Sequence, residues 1–186
     1  MSCEIISIIN AADAECSEVD GGINTSFGLR DTDIDDLTFD ASGILTGITL
    51  AVGGSVAEFE FDDDDSGFYN QEGVRDGLKF TINQTAFFKF SGVDQVKVYK
   101  ANQIKGCCKT VWVHFLNDGS VLVQGVQYDF NTNAWDYSKK RARVNPNVLS
   151  DTGDNASRVE YNIESVAKTF IAADSATITK AYIRAL

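Results

Sequence analysis

The sequence predicts a mainly β fold: a β-sandwich or partly closed barrel with one flanking α-helix and a long acidic loop. Apolar and polar residues alternate with period two over several short stretches, as they do along a strand with one buried face. Glycine occurs 15 times and proline once, at Pro146, so chain reversals fall to Gly and Asn/Asp, the residues of hairpin turns. An Asp118-Gly119 pair separates two valine-rich runs, a strong short-range hairpin signal. At 186 residues, 44% of them hydrophobic, the chain suits one β-rich assembly domain over 21–186 behind an N-terminal arm, 1–20.

The elements follow in order. Ile23, Thr25 and Phe27 alternate with Asn24, Ser26 and Gly28, giving a first strand. Residues 31–40 are acidic, with Ile34, Leu37 and Phe39 as anchors. Residues 44–52 place Ile44, Ile48, Leu50 and Val52 at even positions, before a Gly53-Gly54 turn. In 56–61, Ala57, Phe59 and Phe61 lie on one face and Glu58 and Glu60 on the other, so a hairpin is expected about Gly53-Gly54. Residues 62–77 read as a loop, rich in Asp, Gly, Ser and Asn. Strand text resumes at 78–82 and runs on through Phe87, Phe88 and Phe90. In 92–105, Val93, Val96 and Lys100 share helical spacing with Ile104, although Val96 and Val98 also alternate; a helix is expected, capped by Ser91 and ended by Gly106. Residues 110–116 and 121–126 form the Asp-Gly hairpin. A polar span with Trp135 and the basic run 139–143 follows, then alternation at Val159, Tyr161 and Ile163, and a closing strand at 178–183.

Several function classes find no support. No apolar run approaches the 18 or so residues of a membrane helix, so no membrane partner is expected. The start, Met1-Ser2-Cys3-Glu4, lacks a basic n-region and the apolar run 5–9 is short, so general secretion is not expected. Cys3, Cys16, Cys107 and Cys108 contain no CxxC and His114 is the only histidine, which disfavours a zinc site and suits reduced thiols. A hydrolytic triad would have to use that histidine, inside a strand, where a structural role is expected. No phosphate-binding or nucleophile-elbow motif occurs. The expectation is a protein that is not an enzyme and carries no cofactor. The run Asp62-Asp63-Asp64-Asp65 lacks the alternate spacing of an EF-hand, and four adjacent acids read as a solvated loop tip. A calcium-dependent β adhesion module is the alternative that this run suggests.

Charge is unevenly placed. Residues 1–76 hold 18 acidic and 2 basic side chains, against 9 and 14 in 77–186, and these sums recover the net −11. Oppositely charged surfaces favour head-to-tail contact between copies, unless the fold mixes the two halves in space. Lys139, Lys140, Arg141 and Arg143 are candidates for contacts with a neighbour's acidic loops.

The order of features resembles the tail tube (major tail) proteins of tailed bacteriophages. The resemblance covers about residues 21–184: the stretch DASGILTGITLAVGGSVAEFEF, an acidic loop 62–77, DGLKFTINQTAFFKF, the helix at 92–105, the hairpin KTVWVHFLNDGSVLVQGV, and RVEYNIESVAK. It implies a β-sandwich flanked by a helix, a long loop reaching the adjacent ring, and self-assembly into stacked rings that conduct DNA without binding it specifically. The implied setting is the virion, with manufacture in the host cytoplasm and other tail or neck proteins as further partners. Asp62 to Asp65, Phe68 and Tyr69 are the inter-ring loop candidates. An acidic wall repels phosphate, so Glu58 and Glu60 are the lumen-facing candidates. A neck, tail-completion or capsid-decorating protein is the related alternative.

Overall fold

The computed structural model describes residues 22–61, 66–104, 109–129, 134–136, 142–149 and 157–186. The N-terminal arm, the four cysteines, Asp62 to Asp65, Gly106, and Lys139, Lys140 and Arg141 lie outside them. In chain order the strands are β1 (Ile23–Arg30), β2 (Ile34–Phe39), β3 (Leu45–Leu50), β4 (Val56–Glu60), β5 (Ser66–Asp76) and β6 (Lys79–Ser91). Helix α1 (Gln95–Ile104) precedes β7 (Thr110–Leu116), β8 (Val121–Gln124), β9 (Gln127–Asp129), β10 (Ala134–Asp136), β11 (Arg143–Leu149) and β12 (Arg158–Ala167). A short helix, α2 (Lys180–Arg184), ends the chain.

Two four-stranded sheets carry the fold. The inner sheet has the order β4-β1-β7-β8 and the outer sheet β11-β12-β6-β5, with every pairing antiparallel. The inner sheet is buried on both faces. Ala57, Phe59 and Trp112 pack against Phe88, Phe90, Tyr161 and Ile163 of the outer sheet, with Ala101 and Ile104 of α1 completing that layer. On the other side Phe27, Leu29, Val111, Val113 and Val123 meet Ile34, Leu37, Leu45, Ile48, Ile171, Ile178 and Ile183. The outer sheet keeps one face in solvent, so its strands alternate cleanly: Val159, Tyr161 and Ile163 inward, Glu160, Asn162 and Glu164 outward. Pro146 sits in β11 at the edge of this sheet, where a missing N–H breaks no ladder.

The C-terminal segment ties the layers together. Ala172 bridges antiparallel to Leu122 of β8, and Ala173 bridges parallel to Leu45 of β3. A short strap therefore joins the inner sheet to the β2–β3 hairpin. The Tyr182 hydroxyl then donates to the Ile48 carbonyl at 2.9 Å and accepts from its N–H at 3.0 Å, fixing α2 on β3.

Five expectations are corrected. Gly53-Gly54 does turn the chain, with Gly53 at φ +78°, but β3 pairs with β2 and β4 with β1, so the turn links different sheets and is no hairpin end. Within β3 the buried residues are Leu45 and Ile48, because the ladder shifts register near Thr38 and Phe39, and Val52 lies wholly exposed beside the turn. Residues 66–76, read as loop, form the eleven-residue strand β5, which reverses into β6 at Gly77-Leu78 with Gly77 at φ +58°. The cap of α1 is Asp94, whose Oδ1 accepts from Lys97 N at 2.7 Å, because Ser91 is still in β6. The closing strand at 178–183 is instead α2, started by Thr179, whose hydroxyl accepts from Tyr182 N at 3.1 Å.

One close approach limits the sequence at the sandwich centre. The Trp112 ring lies over Gly28 so closely that a Cβ there would stand 2.9 Å from two of its carbons. Gly28→Ala is expected to lower stability by about 1–3 kcal/mol through overpacking, read as a shift in the denaturant midpoint at constant slope.

Candidate assembly site

Between the two sheets runs a buried polar seam that the alternation pattern does not reveal. His114 is fully buried; its Nδ1 lies 2.8 Å from Ser26 Oγ and its Nε2 lies 3.1 Å from Gln124 Oε1. The Gln124 amide nitrogen donates to two carbonyls, Gln84 O at 3.1 Å and Ile163 O at 2.9 Å, which leaves its oxygen as acceptor. Nε2 of His114 therefore carries the proton, and Ser26 donates to Nδ1. Burial pushes the histidine down from 6.5 to about 4, despite the hydrogen bond to Gln124, so it is neutral at pH 7. The seam continues through Gln84, whose Oε1 accepts from Ser165 Oγ at 2.7 Å, to Gln71, which brackets both the N–H and the carbonyl of Ile171. Tyr69 packs at a tilt against His114, ring centroids 4.5 Å apart, and donates to Val123 O at 3.1 Å.

That geometry separates the two loop candidates that are described. Tyr69 faces inward from β5 and is engaged in the seam, while Phe68 faces out, stacked on Phe87 at 5.5 Å. Phe68 is available to a neighbour and Tyr69 is not.

Beyond Gln71, β5 and β6 leave the body of the protein. Every residue from Glu72 to Phe80 is exposed, on both faces of the ribbon. Val74, Leu78 and Phe80 are apolar, and Leu78 at the turn is wholly exposed. Phe80 folds across Gly73, with Phe170 close by and 59% exposed. The register persists to Asp76↔Lys79, so this is a paired β arm carrying an apolar tip.

A second apolar surface lies on α1. Val96 and Tyr99 are more than half exposed, and Val93, Asp94, Gln95, Val98, Tyr99 and Asn102 line a shallow groove of about 600 Å³. The helix packs against β11 and β12, and β11 adds exposed Val148.

The acidic pair of β4 behaves differently from a bare wall. Glu58 and Glu60 do point away from Ala57 and Phe59. Arg184 of α2 reaches both carboxylates, its Nε donating to Glu58 Oε1 at 2.8 Å, and Lys180 stands nearby, donating to Asn24. The hydrogen bond to Glu58 raises the Arg184 pKa, whereas burial and the Arg184 charge lower that of Lys180. Much of the pair's charge is thus balanced within the subunit. Arg143 is exposed on β11, opposite Glu164.

Comparison with known proteins finds no matching family model, no matching curated protein and no matching solved structure. No helix among the described residues is long and apolar enough to cross a membrane, and no three of their His, Cys, Asp or Glu side chains group as a metal site.

The neutral His114 makes stability pH-dependent. Its folded pKa lies below the unfolded one, so as pH falls from 6.5 toward 4 the unfolded chain takes up a proton that the folded state refuses. Stability should fall by about 2 kcal/mol between pH 7 and pH 5, a window above most carboxylate titration. Chemical denaturation across that range measures the loss. An NMR titration should show the His114 ring unprotonated at pH 5, and a protonated ring there contradicts the assignment.

Proposed function

We propose that the protein is a non-enzymatic virion subunit that assembles with copies of itself into the stacked rings of a phage tail tube. The observation that carries this reading is the β5–β6 arm. A two-stranded ribbon with both faces in water is marginal alone, and apolar side chains at its tip gain nothing from solvent. Such an arm is stabilised when a neighbour covers it. The helix-flanked sandwich that bears it agrees with the family that the sequence resembles, and the part of the long loop is taken by a paired hairpin at 66–80. DNA would pass through the assembled tube without specific contacts, and other tail or neck proteins would close its ends.

Electron microscopy of the purified chain tests the reading: rings or tubes are expected, and a monomer at every accessible concentration overturns it. A second experiment isolates the arm. Replacing residues 74–81 by Asn-Gly joins the paired Gly73 and Ile82 through a two-residue turn. The shortened protein should melt within a few degrees of the parent, because the removed residues contribute almost nothing to the core, yet should sediment as a monomer. Normal polymers from it would remove the arm from the assembly.

A further inference from the structure

Among the described residues two apolar surfaces stand exposed, and both hang on the same strand. The arm precedes β6 at Gly77-Leu78, and α1 follows it four residues past Ser91. β6 has 13 residues, so the arm tip and the helix groove stand roughly 40 Å apart at about 3.3 Å per residue. A subunit cannot fill its own groove with its own arm.

We infer that the arm of one copy docks in the α1 groove of the next. The occupant is a second copy of this chain, and the inference rests on the assembly reading above, for which it names the receiving surface. Three observations select this pairing. Of the eleven large apolar residues exposed among those described, Val74, Leu78, Phe80 and Phe170 belong to the arm end and Val96, Tyr99 and Val148 to the helix end. The shapes correspond: Leu78 projects from a tight turn as a knob, and the groove is a shallow hollow lined by Val93, Val98 and Tyr99. The charges correspond too, since Asp94 is the only charged group lining the groove, while Arg75, Asp76 and Lys79 beside the knob leave it one net positive charge.

A contact between two different patches at opposite ends of a subunit is heterologous, and when its rotation does not close it repeats without limit. It also has a single polarity, so copies follow head to tail along the direction of β6. One knob in one groove is a small interface, so a single pair is weak and is read at high protein concentration.

The test uses the full chain and two exposed substitutions. Leu78→Asp spoils the knob and keeps the groove; Tyr99→Asp spoils the groove and keeps the knob. Circular dichroism checks that each is folded, and both sites are solvent-facing. Each variant alone should associate about tenfold or more weakly than the parent in sedimentation velocity. An equimolar mixture should give a 1:1 complex that grows no further, because it contains one intact knob and one intact groove. As a second readout, oxidising a mixture of Leu78→Cys and Tyr99→Cys proteins should give a 78–99 disulfide, identified by mass spectrometry. If the parent polymerises and either Asp variant does so equally well, the pairing is wrong although the assembly reading stands. If the mixture stays monomeric and no 78–99 link forms, the pairing is likewise overturned. If the parent itself never associates, both readings fall together.

Discussion

The inner sheet is covered on both faces, and that single constraint governs how the rest of the chain is arranged. Every polar side chain at its centre must find a partner inside the protein, because water reaches neither side there. Hydrophobic contact between Phe59, Phe88, Trp112 and Tyr161 holds the sheets together but tolerates sliding, since it has no direction. The Gln124 amide does have direction. Its two donors meet carbonyls on β6 and β12 while its oxygen takes the proton of His114. Gln84 answers from the outer sheet, accepting from Ser165 and reaching toward Gln71 and Val123. A displacement of either sheet by one residue would orphan several of these groups at once, each at about 1–3 kcal/mol. The seam therefore sets the register in which the two sheets stack.

The same seam decides where the exposed machinery can emerge. Gln71 is the last residue of β5 held by it, through the bracket on Ile171, and from Glu72 onward the ribbon has no layer beneath it. At the opposite end, β6 delivers the chain to α1 with Asp94 as cap, and α1 packs back on β11 and β12. One strand thus links the arm, the core seam and the helix. Whatever meets the arm bears on a strand that is pinned in the middle, so the arm is positioned by the rigid sandwich and not by its own marginal pairing.

Strands with one apolar and one polar face were legible in the sequence. β1, β4, β6 and β12 follow from alternation, while β7 and β8 follow from their valine-rich runs about Asp118-Gly119, which gave both a turn and a pairing because the two strands that meet there are adjacent in the chain. Gly53-Gly54 gave only a turn. β4 found its partner in β1, across more than twenty residues, and nothing local records that choice. β5 was missed because its sequence, SGFYNQEGVRD, is polar on both faces, although Asp76-Gly77 beside it is the same dipeptide that marks the later hairpin. α2 was missed because Ile178 and Ile183 look like the ends of a strand, when Thr179 between them is a helix cap. His114 was legible as a structural residue inside a strand, but what its face packs against was not. That face is a second interface, and the available hint was the inward position of Gln84 and Gln124 on otherwise apolar strands.

The unequal charge of the two halves of the chain bears on how DNA would move through such a tube. Each four-stranded sheet joins strands from both halves: β4 and β1 lie beside β7 and β8, and β5 beside β6. The charge polarity of the sequence is therefore mixed in space, and Glu58 and Glu60 meet Arg184 from the other end of the chain. With the inner sheet covered, the free sheet face among the described residues is the outward side of β11-β12-β6-β5. Its charges balance: Lys79, Lys89, Arg143 and Arg158 stand with Glu72, Asp76, Glu160 and Glu164, and Arg158 pairs with Glu160 at 2.6 Å. Asn70, Asn83, Thr85, Asn145 and Asn162 fill much of the space between them. If that face lines a channel, DNA slides there for a reason other than repulsion. Cations already matched by neighbouring carboxylates release few counterions on meeting phosphate, and amides and hydroxyls hold a water layer that the polymer need not displace.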